Sequence, residues 1–316
     1  MIKDGLRSSG ILITGGGGFV GTYLLAALRA ALPDMQMFAP RAAQLDIIDA
    51  DALRDVFAAH RPRICLHLAG ISSLKAARAA PSQAWAVNLQ GSLNVADAIL
   101  ATVPHCRMIH ISSSECYGAS FLSGLPLDET AVLAPMNLYA ATKAAADLAL
   151  GARMADGLRL LRLRPFNHTG PGQSEDFVVP AFAAQIARIE AGHIPPEILV
   201  GALTPVRDFL DVRDVCAAYA ACVARAEDLP DGMILNIASQ AGVSIGSVLE
   251  TLLAMASTAI TIREDPARLR PVEIPVAIGN AWRAGDLLGW EPRIGLATTL
   301  RDVLDQARRQ AGRGPI

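Results

Sequence analysis

Ile11-Leu12-Ile13-Thr14-Gly15-Gly16-Gly17-Gly18-Phe19-Val20-Gly21 decides the fold. Ile11 to Thr14 reads as a first strand and Phe19 to Leu32 as the helix after it, with Gly-x-x-Gly-x-x-Gly at the turn between them. At such a turn the backbone can approach a pyrophosphate, and the helix N-terminus favours negative charge. Four successive glycines also suit a merely flexible loop. The strand before them and the helix after them weigh for a dinucleotide site, with Gly15, Gly18, Phe19, Val20 and Gly21 as its residues.

The alternation continues outward from that turn. Met35 to Ala39 reads as strand, Asp51 to His60 as helix, and Arg63 to His67 as strand. Pro81 to Val103 is mostly helical, Arg107 to Ser112 is strand, Pro135 to Met154 a long helix and Leu158 to Leu163 strand. Apolar strands alternating with helices predict an α/β fold, a Rossmann-type doubly wound parallel sheet covered on both faces. After Pro165 the texture changes. Asn167-His-Thr-Gly-Pro-Gly172 is a turn-rich break; helical patterns span Phe177 to Ala191, Val212 to Arg225 and Leu296 to Ala311, and Met233 to Asn236 reads as one more strand. The expected plan is a cofactor-binding domain over residues 1–165 plus roughly 211–237, and a smaller substrate lobe from 166–210 and 238–316.

Bulk composition narrows the function. A chain of 316 residues, 52% hydrophobic and 18% charged, is globular. A formal charge of −2 gives no basic field for nucleic acid. Five cysteines without Cys-x-x-Cys spacing argue against a disulfide framework or a zinc site and for a reducing cytoplasm, so no metal is expected. No run of 18 apolar residues suggests a membrane span.

The end of the second strand reports on the cofactor. A carboxylate there suits a ribose hydroxyl and a basic residue a 2′-phosphate. Phe38-Ala39-Pro40-Arg41 ends in arginine, which favours NADP(H) and leaves NAD(H) open. Asp46-Ile47 is expected to border the adenine, and the small residues of Leu68-Ala69-Gly70 to allow close approach of the cofactor. Ordinary strand-end packing is the alternative for the latter.

Of 28 basic residues only Lys3, Lys75 and Lys143 are lysine. Lys143 follows Tyr139 by four positions, one helical turn, so both side chains share a face. An ammonium beside a phenol is expected to lower the phenol's pKa, and a tyrosine tuned in this way exchanges protons with a carbonyl or alcohol. Ser112-Ser113-Ser114-Glu115 follows a strand, where a hydroxyl can hold a substrate carbonyl. A plain serine-rich turn is the alternative. Glu115 reads equally as an acid or base and as a turn residue.

Thr14 to Gly21, Asp46-Ile47, Leu68-Ala69-Gly70, Asn88, Ser113, Tyr139-x-x-x-Lys143 and Arg207-Asp208-Phe209-Leu210-Asp211-Val212 together resemble the extended short-chain dehydrogenase/reductase family. The resemblance implies that Tyr139 is the general acid/base, that Lys143 binds the nicotinamide ribose and tunes Tyr139, and that Ser113 polarises the reacting oxygen. It implies a C-terminal lobe for nucleotide-sugars, and a homodimer built on two helices per subunit. Arg164-Pro-Phe-Asn167-His168-Thr-Gly-Pro171-Gly-Gln173 and the segment after it resemble the GDP-4-keto-6-deoxy-D-mannose reductases, which make GDP-D-rhamnose with NAD(P)H.

GDP-mannose 4,6-dehydratases share Glu115. They carry Gly-Gln-Asp-Gly where this chain has Gly18-Phe-Val-Gly21, which favours the reductase. A C4 epimer product, GDP-6-deoxy-D-talose, and a non-catalytic NADP(H) sensor remain as alternatives. Within the family pattern Arg207 and Arg270 are candidates for the diphosphate. Asn167 and Val179 are candidates for substrate contact, as is Glu273 unless it is a solvent-facing carboxylate. His168 is placed near the nicotinamide or is a packed histidine. Asp211 and Asp214 read as structural, and Trp282 and Trp290 as core anchors.

Overall fold

The computed structural model describes residues 10–269 and 274–312. Strands β1 (Ile11–Thr14), β2 (Met37–Phe38), β3 (Ile64–His67), β4 (Arg107–Ile111) and β5 (Arg159–Pro165) alternate with helices. The later strands are β6 (Asn167–Thr169), β7 (Glu197–Val200), β8 (Val206–Asp211), β9 (Ile234–Ile237), β10 (Gly242–Ser244), β11 (Thr261–Glu264) and β12 (Val276–Ala277). Six of them form one sheet in the order β2-β1-β3-β4-β5-β9, with every pair parallel. This is the α/β, Rossmann-type doubly wound sheet that the alternation predicts. Its order reverses at β1, so a crevice opens between the carboxyl ends of β1 and β3.

Strands β1, β3 and most of β4 are buried on both faces, which is why they read as unbroken apolar runs rather than alternating ones. One core, with Leu24, Leu28, Val215 and Tyr219, lies under helices Phe19–Ala31 and Val212–Ala224. The opposite core, with Phe57, Val95, Ile99 and Leu150, lies under helices Ala50–His60, Gly91–Thr102 and Leu138–Ala152. A third core joins helices Val178–Glu190, Ile245–Leu253 and Leu296–Ala311 to β7 and β8, forming the smaller lobe. β9 rejoins the main sheet beside β5.

Three readings change. The second strand shrinks from five residues to Met37–Phe38, because its register with β1 covers only Ile11 and Leu12. The helix expected from Pro135 starts at Leu138, where extended Asn137 caps it by accepting from the Ala140 N–H. Trp282 is 69% exposed and anchors no core, whereas Trp290 is buried and donates its indole N–H to the Asp214 carbonyl at 2.9 Å. Asp211 caps helix Val212–Ala224, and Asp214 accepts from the backbone N–H groups of Arg293 and Ile294.

Candidate active site

The strand ends open into one cleft of about 2000 Å³. That exceeds the pocket of a single drug-sized ligand, so it has room for a dinucleotide and a second nucleotide side by side. Gly15, Gly18, Phe19, Val20 and Gly21 line one wall, with Arg41, Asp46 and Ile47 beside them. Leu68, Ala69 and Gly70 line the floor at the end of β3. Ser113, Glu115, Tyr139 and Lys143 line the far side of the sheet crevice, and Asn167, His168, Val179 and Arg207 line it from β6, helix Val178–Glu190 and β8. Every described site residue expected from the sequence therefore borders one space. Arg270 and Glu273 lie outside the described residues.

The glycine turn is built for close approach. Gly15 has φ +76, and a Cβ there would sit 2.6 Å from the Ala69 nitrogen across the β1–β3 crevice. A Cβ on Gly21 would meet the Gly15 oxygen at 2.6 Å. Gly18 caps helix Phe19–Ala31 without a side chain, so no side-chain acceptor competes for the helix's first N–H groups. That cradle fits a pyrophosphate. Exposed Arg41 stands beside it, its Cγ 3.5 Å from where a Gly17 Cβ would lie, and its backbone N–H donates to Gln44 Oε1.

Asn88 connects the cofactor side to the reacting side. It is 1% exposed, accepts from the Ile71 N–H at 2.7 Å, and donates from Nδ2 to the Ile71 carbonyl and to Thr142 Oγ1. Thr142 lies on the same helix as Tyr139 and Lys143. Behind it a buried chain runs from Thr14 Oγ1 to His67 Nδ1 (2.7 Å), from His67 Nε2 to Ser92 Oγ (2.9 Å), and from Ser92 to the Asn88 carbonyl (2.7 Å). Ser92 donates to Asn88, so it accepts from His67 Nε2–H. Burial holds that imidazole neutral by lowering its pKa to about 3.

The Tyr139–Lys143 pair behaves differently from the expectation. Burial raises the phenol's pKa rather than lowering it. A hydrogen bond to Ser113 opposes the rise, and nearby Cys116 and Glu115 add to it. Lys143 Nζ donates to the Ile111 carbonyl at 2.5 Å, and desolvation brings its pKa down to about 8. The physical cause is desolvation: burial withdraws water from the phenol, and that sets the direction of its shift. The phenol stays protonated at neutral pH.

The other candidates are held by identifiable partners. Ser113 is buried, and its Oγ accepts from the Glu115 N–H at 3.2 Å. Glu115 Oε2 accepts from Asn137 Nδ2 at 3.1 Å. His168 Nδ1 bonds the Phe166 carbonyl at 2.9 Å, and burial lowers its pKa. Arg207 donates from Nη1 to the carbonyls of Val206 and Ile274, both at 2.8 Å, which fixes its guanidinium at the lobe wall.

Asp147 escaped the sequence reading. It is fully buried one turn after Lys143 and holds a two-point contact with Arg164 (Nε to Oδ2 3.0 Å, Nη2 to Oδ1 2.9 Å). Its i,i+4 spacing from Lys143 was the available signal. Asn137 escaped as well, because its partner lies 22 positions away. Among the described residues no group of three His, Cys, Asp or Glu side chains could hold a metal ion, and no helix is long and apolar enough to cross a membrane.

Comparison with known proteins bears on this geometry. Residues 11–238 match the family described as the NAD dependent epimerase/dehydratase family. The chain is 35% identical to the GDP-6-deoxy-D-mannose reductase of Pseudomonas aeruginosa, over 93% of this chain and 95% of that protein. It is 25% identical to the GDP-6-deoxy-D-talose 4-dehydrogenase of Aggregatibacter actinomycetemcomitans, over 94% of this chain and 96% of that protein. The solved structure of RMD from Pseudomonas aeruginosa complexed with NADPH superposes with a TM-score of 0.85 at 32% identity, covering 96% of this chain and all of that one.

Proposed function

Because the chain belongs to the NAD-dependent epimerase/dehydratase family, we propose that it is an NADPH-dependent nucleotide-sugar oxidoreductase that reduces the C4 ketone of GDP-4-dehydro-6-deoxy-D-mannose to GDP-D-rhamnose. The observation that carries this reading is its likeness, along almost the whole chain, to a GDP-6-deoxy-D-mannose reductase. A relative solved with NADPH and the arginine at position 41 support the phosphorylated cofactor.

In this reading the glycine turn and the first N–H groups of helix Phe19–Ala31 hold the pyrophosphate, and Arg41 the 2′-phosphate. Bound NADPH supplies a hydride for C4. Ser113, whose hydroxyl bonds Tyr139, turns its one proton to the C4 oxygen when the sugar is bound and orients it. Tyr139, kept protonated by burial, gives its proton to that oxygen as negative charge gathers there. Donors aimed at charge that develops only in the transition state lower the barrier itself. Lys143 places positive charge behind the resulting phenolate. Arg207 takes the diphosphate of the sugar nucleotide, and Asn167 and Val179 border the sugar.

We assign cofactor binding to residues 1–165 with 211–237 and substrate binding to 166–210 with 238–316. A cytoplasmic homodimer completes the proposal, and light scattering on the purified protein reads its mass.

Stopped incubations test the activity. With GDP-4-dehydro-6-deoxy-D-mannose and NADPH, this reading expects absorbance at the reduced nicotinamide band to fall. No consumption sinks it. Conversion of GDP-mannose to a 4-keto product with NADP+ would make the protein a dehydratase instead.

A further inference from the structure

Asn137 uses both ends of one amide. Its Oδ1 accepts from the Ala140 N–H at 2.8 Å and caps the helix carrying Tyr139 and Lys143. Its Nδ2 donates to Glu115 Oε2 at 3.1 Å. Aspartate caps a helix as well as asparagine does, but it has no proton to give a carboxylate. The cap alone therefore does not require an asparagine, whereas the contact with Glu115 does.

The two segments meet through a tight clamp. Gly118 takes φ +49, and a Cβ there would lie 1.9 Å from the Ala134 oxygen. Backbone bonds from Ala119 N to Ala134 O (2.8 Å) and from Ala134 N to Cys116 O (3.1 Å) close it. Glu115, which lines the cleft, and Asn137 lie on either side of this clamp in sequence. Glu115 also donates its backbone N–H to Ser113 Oγ. The turn bearing Ser113 and the helix bearing Tyr139 are thus linked through one carboxylate and one amide.

We infer that Asn137 is a positioning residue: it fixes the Glu115 carboxylate at the reacting end of the cleft, where that carboxylate accepts from a hydroxyl of the sugar beside Tyr139. The inference rests on the nucleotide-sugar reading above. Glu115 touches the substrate, and Asn137 acts through Glu115. Without the donor, the carboxylate loses its fixed rotamer and meets the sugar less often in the accepting geometry.

Four variants test this. Asn137→Asp keeps the cap and sets a like charge against Glu115. Its melting temperature should stay near wild type and its NADPH dissociation constant unchanged, while KM for the keto sugar rises roughly three- to tenfold, the scale of one hydrogen bond's net contribution. Asn137→Ser, which keeps a capping oxygen on a shorter side chain, should raise KM in the same direction by less. The swapped pair Asn137→Asp with Glu115→Gln restores one donor and one acceptor, and should bring KM back below that of Asn137→Asp alone. A wild-type KM in Asn137→Asp, or a double variant no better than that single one, overturns the proposal. The fourth variant is read without substrate: the side-chain amide NMR signals of Asn137 should shift in Glu115→Ala, and unmoved signals also overturn it. Should wild-type protein fail to oxidise NADPH with the keto sugar, the functional reading fails. The amide signals still decide whether Asn137 holds Glu115.

Discussion

Lys143 donates a hydrogen bond from its ammonium to the carbonyl oxygen of Ile111 at 2.5 Å, tying the helix that carries Tyr139 to the end of β4. The strand end thus fixes where the ammonium sits, and burial sets how strongly it holds its proton. With its pKa lowered to about 8, Lys143 is charged at neutral pH and loses that charge just above it.

The first prediction follows from that value. kcat/KM for ketone reduction should fall as pH rises through about 8, because the charge behind the phenol disappears on the alkaline side. Tyr139→Phe should lower turnover by roughly a hundredfold or more, the usual contribution of a positioned acid, with NADPH binding retained. A flat profile from pH 7 to beyond pH 9 would contradict the role given to Lys143.

Arg41 carries the second. Removing the only basic side chain among residues 39–46 takes a planar cation away from a dianionic phosphate. Arg41→Ala should weaken NADPH binding by about tenfold or more and leave NADH binding close to unchanged. Fluorescence titration of both cofactors measures the ratio. Equal losses for the two would assign Arg41 to some other contact.

Arg164 carries the third. Asp147 is fully buried, and Arg164 supplies two of its hydrogen bonds while also donating to the Tyr117 hydroxyl at 3.1 Å. Arg164→Met leaves Asp147 with Arg162, at 3.1 Å, as its remaining salt-bridge partner, beside a hydrogen bond from Ser112. A stability loss of about 3 kcal/mol is expected, since the buried carboxylate loses its two-point partner. Replacing both Asp147 and Arg164 by apolar residues should cost less than Arg164→Met alone, as read by urea unfolding.

The sequence made some of these relationships visible and hid others for definite reasons. The turn at Gly15 to Gly21, the buried strands β1, β3 and β4, and the helix from Leu138 are local features, so spacing and composition reveal them. β6, β10 and β12 span two or three residues each and leave no periodic signature. Trp282 looked like a core residue because composition carries no information about which face of a short helix meets solvent. The Asn137–Glu115 contact depends on the backbone turn at Gly118, which no local pattern announces. The Tyr139–Lys143 spacing correctly put both groups on one helix. The sign of the phenol's shift depends on burial, and burial is a property of the assembled cleft.

The fourth prediction concerns the smaller lobe. Arg308 makes a two-point contact with Glu190 (2.7 and 2.8 Å), joining helix Leu296–Ala311 to the end of helix Val178–Glu190. That guanidinium, with the Ser257 N–H, lowers the Glu190 pKa from 4.5 to about 2. A carboxylate lowered on folding stabilises fully above its free value and loses that contribution as pH falls toward the folded one. Melting temperature should therefore drop between pH 4.5 and 2 in wild type, with a shallower slope in Glu190→Gln. Parallel slopes would remove Glu190 from the acid response.

The most direct measurement is the fate of GDP-4-dehydro-6-deoxy-D-mannose incubated with the protein and NADPH, followed by absorbance and by NMR of the product sugar. The account predicts one NADPH consumed per sugar and GDP-D-rhamnose as product, with both lost in Tyr139→Phe. Unchanged NADPH in the wild-type reaction, or undiminished turnover in Tyr139→Phe, would contradict it.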